Sequence, residues 1–178
     1  DRLIEAGEGL AERSGGEGLR LCGLHALDSL RSEKAYRHFG HDISDEDHVL
    51  EAGLGFAVKT EKPAGRYGAF IGRDAVLRKK DAGLTRRLLQ FKLNDPQPLL
   101  FHNEPIWRDG RIAGHITSGA YGHFLGAAVG LGYVSCGPDE AAEDVLGSTY
   151  EIEVAGERVA ASASLRPMYD PRGERMRG

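Results

Sequence analysis

Apolar positions change their period partway along the chain. In the first part they recur every three or four residues, the spacing that lines one face of a helix. Leu3, Ile4 and Leu10 stand among Glu, Arg and Ala in a short amphipathic stretch that Ser14-Gly15-Gly16 ends. Leu24, Leu27 and Leu30 then repeat at intervals of three, followed by Glu33, Lys34 and Arg37 and a stop at Gly40. The pattern predicts a helix over 24–39 whose leucine stripe faces the core and whose last turn carries Tyr36. Ser44-Asp45-Glu46-Asp47 reads as a loop and Gly53–Lys59 as a short apolar strand. Gly72–Gly83 reads as a helix: Asp74 near its start and Lys79 and Lys80 near its end complement the dipole, and Gly83 suits the cap.

From about Arg86 the pattern shortens into apolar or alternating runs: Leu88–Leu93, Pro105–Trp107, Arg111–Thr117, Gly126–Val134, Thr149–Val154 and Arg158–Leu165. Asp109-Gly110 and Ala155-Gly156 between them are hairpin turn signals. Six short strands with two hairpins predict a small barrel or sandwich, interrupted by one helix near Pro138–Leu146. The stretch Asp170–Gly178 is charged and reads as loose. The chain thus divides into an α+β unit over residues 1–84 and an all-β unit over 85–178.

Composition narrows the function classes. Over 178 residues the net charge is −4, so no overall positive field favours nucleic acid or anionic lipid. No apolar run approaches the roughly 20 residues that span a bilayer. Cys22 and Cys136 form no C-x-x-C motif, which fits a reducing, cytoplasmic setting. The first residue is Asp1 and no signal peptide is visible, so the expectation is a fragment of a longer protein.

Familiar motifs are missing. There is no G-x-G-x-x-G and no G-x-x-x-x-G-K-[ST]; Gly130-Leu131-Gly132 reads as a bulge or close packing within a strand. A calcium loop starting at Asp42 would place Asp47 where its turn needs Gly. His38 and His41 could share a metal, but no second compact His/Cys pair accompanies them, and they read as an exposed pair at a helix end. Thr117-Ser118-Gly119 reads as a turn, not a nucleophile elbow. Arg73, Arg78, Lys79, Lys80, Arg86 and Arg87 form a basic patch of the kind that is usually a solvated face. Tyr36, with Arg31, Glu33 and Arg37 nearby, is either a core-edge ring or one that stacks on a planar ligand while its neighbours hold the polar edge.

The stretch Gly23-Leu24-His25-Ala26-Leu27-Asp28-Ser29-Leu30-Arg31-Ser32-Glu33, continuing to Phe39-Gly40-His41-Asp42-Ile43, resembles the signature helix and turn of the aminomethyltransferase family, typified by the glycine cleavage T-protein. Glu51-Ala52-Gly53-Leu54-Gly55-Phe56, Phe70-Ile71-Gly72-Arg73, Ile116-Thr117-Ser118-Gly119 and Leu131-Gly132-Tyr133-Val134 extend the likeness over nearly the whole chain. Glu33-Lys34-Ala35-Tyr36-Arg37-His38 and the ending Leu165-Arg166-Pro167-Met168-Tyr169-Asp170-Pro171 look most like the C-terminal part of FAD-dependent dimethylglycine or sarcosine dehydrogenases.

The resemblance implies an α+β fold, the C-terminal half of a T-protein-like folate-binding domain followed by a small antiparallel β-barrel. It implies tetrahydrofolate as the cofactor of this module, FAD in a flavin domain elsewhere in the parent, and an N-methyl amine as substrate. No nucleic-acid or membrane partner is implied, and the chain could self-associate through an uncovered apolar face. The family's acidic catalytic loop and pterin-holding carboxylate lie upstream of the matched region, so no catalytic residue is implied here and the chain alone is an incomplete catalyst. Tyr36 matches a tyrosine that lines the folate cavity, with Arg31 beside it. Tyr169 is a second contact, because the family's tail returns toward the folate entrance. Leu27 stands where T-proteins carry Arg. Two further readings stay open: a free-standing T-protein with a lipoyl-protein partner, and a non-catalytic folate-binding or structural module.

Overall fold

A computed structural model describes residues 2–15, 19–61 and 70–177. Helices α1 (Arg2–Ser14), α2 (Leu24–Glu33) and α3 (Arg73–Ala82) precede six strands, with a 3₁₀ turn at Gly55–Ala57. The strands are β1 (Arg86–Leu93), β2 (Pro105–Arg108), β3 (Arg111–Gly122), β4 (Ala127–Ser135), β5 (Tyr150–Val154) and β6 (Glu157–Ser164). Helix α4 (Ala142–Gly147) joins β4 to β5 and α5 (Glu174–Arg177) follows β6. The strands close into an antiparallel barrel ordered β1-β4-β3-β2-β5-β6. β6 returns to β1 through pairs such as Phe91 with Ala163, so no strand edge is left open. Both predicted hairpins form. Asp109 and Gly110 sit at φ 50° and 78°, Ala155 and Gly156 at 52° and 87°, the left-handed pairs that match strand twist.

Strand β4 explains how the barrel carries a site. Residues Ala127–Val134 are buried along their whole length, although one solvated face would make an antiparallel strand alternate. Its inward Ala128 and Val134 join Phe91, Ile106, Ile116 and Ile152 in the main core. On the outside, Leu131 and Tyr133 pack with Leu88 and Ala35. Close backbone approach sets the price at Gly132, where a Cβ would stand 2.6 Å from the His115 carbonyl oxygen. The Gly130-Leu131-Gly132 run is therefore close packing, and the bulge lies opposite it on β3.

Helix α2 departs from its prediction in length and in facing. It ends at Glu33, not near 39, because Ala35 takes φ 52°. Ala35 N–H donates to Ser32 O and Tyr36 N–H to Arg31 O, the paired bonds of a Schellman close. The Gln90 side-chain amide donates to the Ser32 and Glu33 carbonyls at 2.7 and 3.0 Å, occupying acceptors that would otherwise seek another turn. The leucine stripe faces outward: Leu24, Leu27 and Leu30 are 76%, 54% and 54% exposed. Ser29, Ser32 and Glu33 are buried instead. This polar stripe has helical spacing too, and it wins the barrel face because Ser29 and Glu33 meet fixed partners there. Ser29 Oγ donates to Tyr121 O at 2.6 Å. Glu33 Oε1 accepts Phe124 N–H at 2.7 Å and Leu125 N–H at 3.1 Å.

Other expectations change more simply. Gly53–Lys59 is not a strand but holds the Gly55–Ala57 3₁₀ turn, because Leu54, Ala57 and Val58 N–H bond locally. Thr117-Ser118-Gly119 lies inside β3, which runs on to Gly122, with a bulge between Ile116 and Ser118. The stretch after β6 is held rather than loose, since Lys34 Nζ donates to Asp170 O and Oδ2. Helix α3 forms as predicted, between Gly72 and Gly83 at positive φ. The Gly16 of the α1 stop signal lies outside the described residues, and among them no helix is long and apolar enough to cross a membrane.

Part of the basic patch is spent on ion pairs. Lys79 Nζ lies 2.7 Å from Glu51 Oε1, and Arg86 binds Glu51 Oε2 at 3.0 Å and Asp47 at 2.7 Å. Burial pushes the Glu51 carboxyl up, but hydrogen bonds from Lys79, Arg86 and Thr85 outweigh it and hold the group at about 2. A folded value below the ordinary 4.5 gives stability that is complete above that pH and lost as pH falls toward 2. Glu51→Gln should therefore be less stable than the parent at neutral pH and should converge with it near pH 2, in urea titrations across that range. Glu33→Ala strands two amide hydrogens under the hairpin. It should cost about 2–4 kcal/mol in urea denaturation, and Glu33→Gln, which keeps an acceptor, clearly less.

Candidate functional site

A cavity of about 550 Å³ opens between α2, the 99–102 connection and β3. That size suits a small organic ligand. Leu24, Leu27, Leu99, Leu100 and Phe101 form its apolar wall, with Asp28, Ser29, Arg31, Ser118 and Tyr121 as polar points. His25, His38, His41, His102 and His123 also line it, so five of the chain's seven histidines gather here. The outward turn of the α2 leucines, unexpected for a core stripe, thereby places two of them at a cavity.

Arg31 is the best-determined group in the wall. Its Nε donates to Asp28 Oδ1 at 2.8 Å, Nη1 to Asp42 Oδ2 at 2.9 Å, and Nη2 to Ser118 Oγ at 3.0 Å. Asp42, 0% exposed, also accepts His38 N–H at 2.8 Å and Thr117 Oγ1–H at 2.5 Å. The β3 bulge makes this possible. Between Ile116 and Ser118 one extra residue drops out of register, so Thr117 reaches Asp42 while Ser118 reaches Arg31. Two carboxylates and a hydroxyl thus fix one guanidinium. Further along β4, burial pushes the Tyr133 hydroxyl up to about 12, and it has no hydrogen-bond partner among the described residues.

Of the residues singled out from sequence, Arg31 lies in the cavity wall. Tyr36 lies just past the helix close, 49% exposed, outside the lining residues, with its carbonyl oxygen 3.5 Å from Arg31 Nη1. Tyr169 is also outside the lining; its ring stacks on Phe124 with centroids 4.5 Å apart at 18°. His38 and His41 face each other at 4.6 Å within the wall. No cluster of three or more metal-ligating side chains occurs among the described residues. The sequence reading gave no binding role to Asp28, Asp42 or Ser118, weighing Asp42 only as a metal ligand and Ser118 only as part of a turn. The polar pair Thr117-Ser118 inside an otherwise strand-like run was the available signal for the last two, since a buried strand carries hydroxyls only where partners await them.

Removing the Asp42 charge leaves Arg31 short of one carboxylate in a nearly closed site. Asp42→Asn should lower stability by about 3 kcal/mol in urea denaturation. Thr117→Val removes only one of the three donors to Asp42 and should cost nearer 1 kcal/mol.

The family described as the glycine cleavage T-protein C-terminal barrel domain matches residues 86–170, and the GCVT N-terminal domain matches residues 2–62. A 4-methylaminobutanoate oxidase (formaldehyde-forming) of Paenarthrobacter nicotinovorans is 42% identical over the whole chain, which spans 20% of that protein. Human mitochondrial sarcosine dehydrogenase is 37% identical over 90% of the chain, again spanning 17% of the relative. The crystal structure of the glycine cleavage system aminomethyltransferase T from Bartonella henselae superposes with a TM-score of 0.73 at 27% identity, covering 94% of this chain and 45% of that one.

Proposed function

The chain belongs to the glycine cleavage T-protein family, and from that membership we propose that its cavity contributes to a tetrahydrofolate site in a larger FAD-dependent enzyme that oxidises an N-methyl amine. The observation that carries this reading is the amphipathic cavity beside the signature helix, with an apolar wall and one rigidly held guanidinium. The two relatives of this chain named above are, by their names, an oxidase and a dehydrogenase of N-methylated amino acids. Such oxidation yields an electrophilic one-carbon unit, which favours a module that presents an acceptor for it.

Tetrahydrofolate, when bound, supplies the nitrogen that takes up the one-carbon unit. The chain's own residues would bind and orient it. Leu27, Leu99 and Phe101 give a flat ring an apolar bed and exclude water from it. Arg31 has one Nη2 hydrogen beyond its bonds to Asp28, Asp42, Ser118 and the Tyr36 carbonyl, which a polar edge of the ligand would accept. Asp28 carries a second carboxyl oxygen as an acceptor. Tyr36, beside Arg31, would stack on the part of the ligand that extends past the wall. No general acid or base is assigned to this chain, so its contribution is positioning. A free-standing aminomethyltransferase is the second reading, favoured by the similarity to the Bartonella henselae structure; it would use a lipoyl-protein partner and no flavin.

Calorimetric titration with tetrahydrofolate tests the site. Tyr36→Ala should weaken binding about tenfold, a loss of about 1.4 kcal/mol. Leu27→Asp, at an exposed position where the fold tolerates a charge, should weaken it more. In the intact parent both variants should leave amine oxidation nearly unchanged. Equal affinity in the parent chain and in both variants would remove the cavity from consideration.

A further inference from the structure

We propose that Tyr169 is a positioning residue for this cavity, acting through Phe124 at the tip of the β3–β4 hairpin and not by touching a ligand. The cavity is taken as the folate site only for the binding arm of the test.

Tyr121 and His123 line the cavity, and the chain turns immediately after them. Where that turn sits decides where the far wall stands. From beneath, it is fixed by Glu33, whose Oε1 accepts the Phe124 and Leu125 amide hydrogens. The Phe124 side chain is 60% exposed. Its ring lies flat on Tyr169. An exposed phenylalanine in a hairpin tip would ordinarily leave that tip free to move, so the stack is the second jaw of a clamp.

A clamp works only if its jaw is anchored, and Tyr169 is held on both sides. Met168 N–H donates to Gln90 Oε1 at 2.7 Å, while the other end of the same amide holds the last α2 carbonyls. Asp170 receives Lys34 Nζ at its carbonyl oxygen and its carboxylate, 2.8 and 2.9 Å away. Lys34 Nζ and the Arg175 guanidinium each lie 5.8 Å from the Tyr169 ring centroid, adding cation–π attraction. Glu33, Lys34 and the carbonyls held by Gln90 all belong to one helix end. That end carries both jaws, and the hairpin tip is gripped between them. The tyrosine hydroxyl has no part in the stack.

Hydrogen exchange of the full 178-residue chain, without ligand, reads the clamp directly. Tyr169→Ala should speed exchange of the Phe124 and Leu125 amides at least tenfold and leave the β1 amides at their parent rate, whereas Tyr169→Phe should match the parent. Tetrahydrofolate affinity should follow the same order, several-fold weaker for Tyr169→Ala and unchanged for Tyr169→Phe. If Tyr169→Ala does not fold, Phe124→Leu breaks the same stack from its exposed side and should speed the Leu125 amide alike. Unchanged hairpin exchange overturns the proposal, as does a rise spread evenly over the barrel. So does a Tyr169→Phe variant that binds as weakly as Tyr169→Ala, since the hydroxyl would then be a direct contact. If the parent chain binds no tetrahydrofolate, the folate reading falls and the exchange result alone decides the clamp.

Discussion

The Glu33 carboxyl reaches from the last turn of α2 into the β3–β4 hairpin and replaces water for two backbone amides there. A carboxyl at 1% exposure is tolerable only because its lone pairs are met by fixed donors. The donors are in turn fixed only because the barrel closes behind them. Ser29 to Tyr121, Arg31 to Ser118 and Gln90 to the helix carbonyls repeat the arrangement along one seam. Apolar packing builds the barrel, and polar pairing attaches the helix. Non-directional burial would accept several helix rotations, whereas these bonds accept one.

That rotation has an electrostatic result. Arg31 is flanked by Asp28 and by fully buried Asp42, so its charge is already compensated before any ligand arrives. What it offers the cavity is a hydrogen-bond donor, with little net attraction for an anion. Discrimination at this wall would therefore come from hydrogen-bond geometry and ring shape, the terms that a clamped side chain enforces best.

The barrel was legible where local chemistry decides the structure. Asp109-Gly110 and Ala155-Gly156 can adopt left-handed pairs, the Gly126–Val134 run reads as a strand, and the charges of α3 fit its dipole. The helix stop at Ala35 was not legible, because an alanine at positive φ has no local motive and the amide that secures it comes from Gln90, far along the chain. The leucine stripe misled for a related reason: amphipathic periodicity finds a face, but which face docks depended on acceptors in Tyr121 and donors in Phe124 and Leu125. The cavity was the least legible feature. His25, His38, His41, His102 and His123 carry no common spacing, and only barrel closure brings them together.

The seam joins partners 57 to 136 residues apart, and β1 is completed only when β6 arrives beside it. Loop-closure entropy must be met before any of these contacts repays it. The barrel therefore assembles through non-local pairings, and the cavity appears only after that closure. Until then, an unpaired β1 edge stands in water, near a leucine stripe that stays exposed even in the finished fold. For such a chain, slow closure more than low final stability sets the interval in which it is exposed to aggregation.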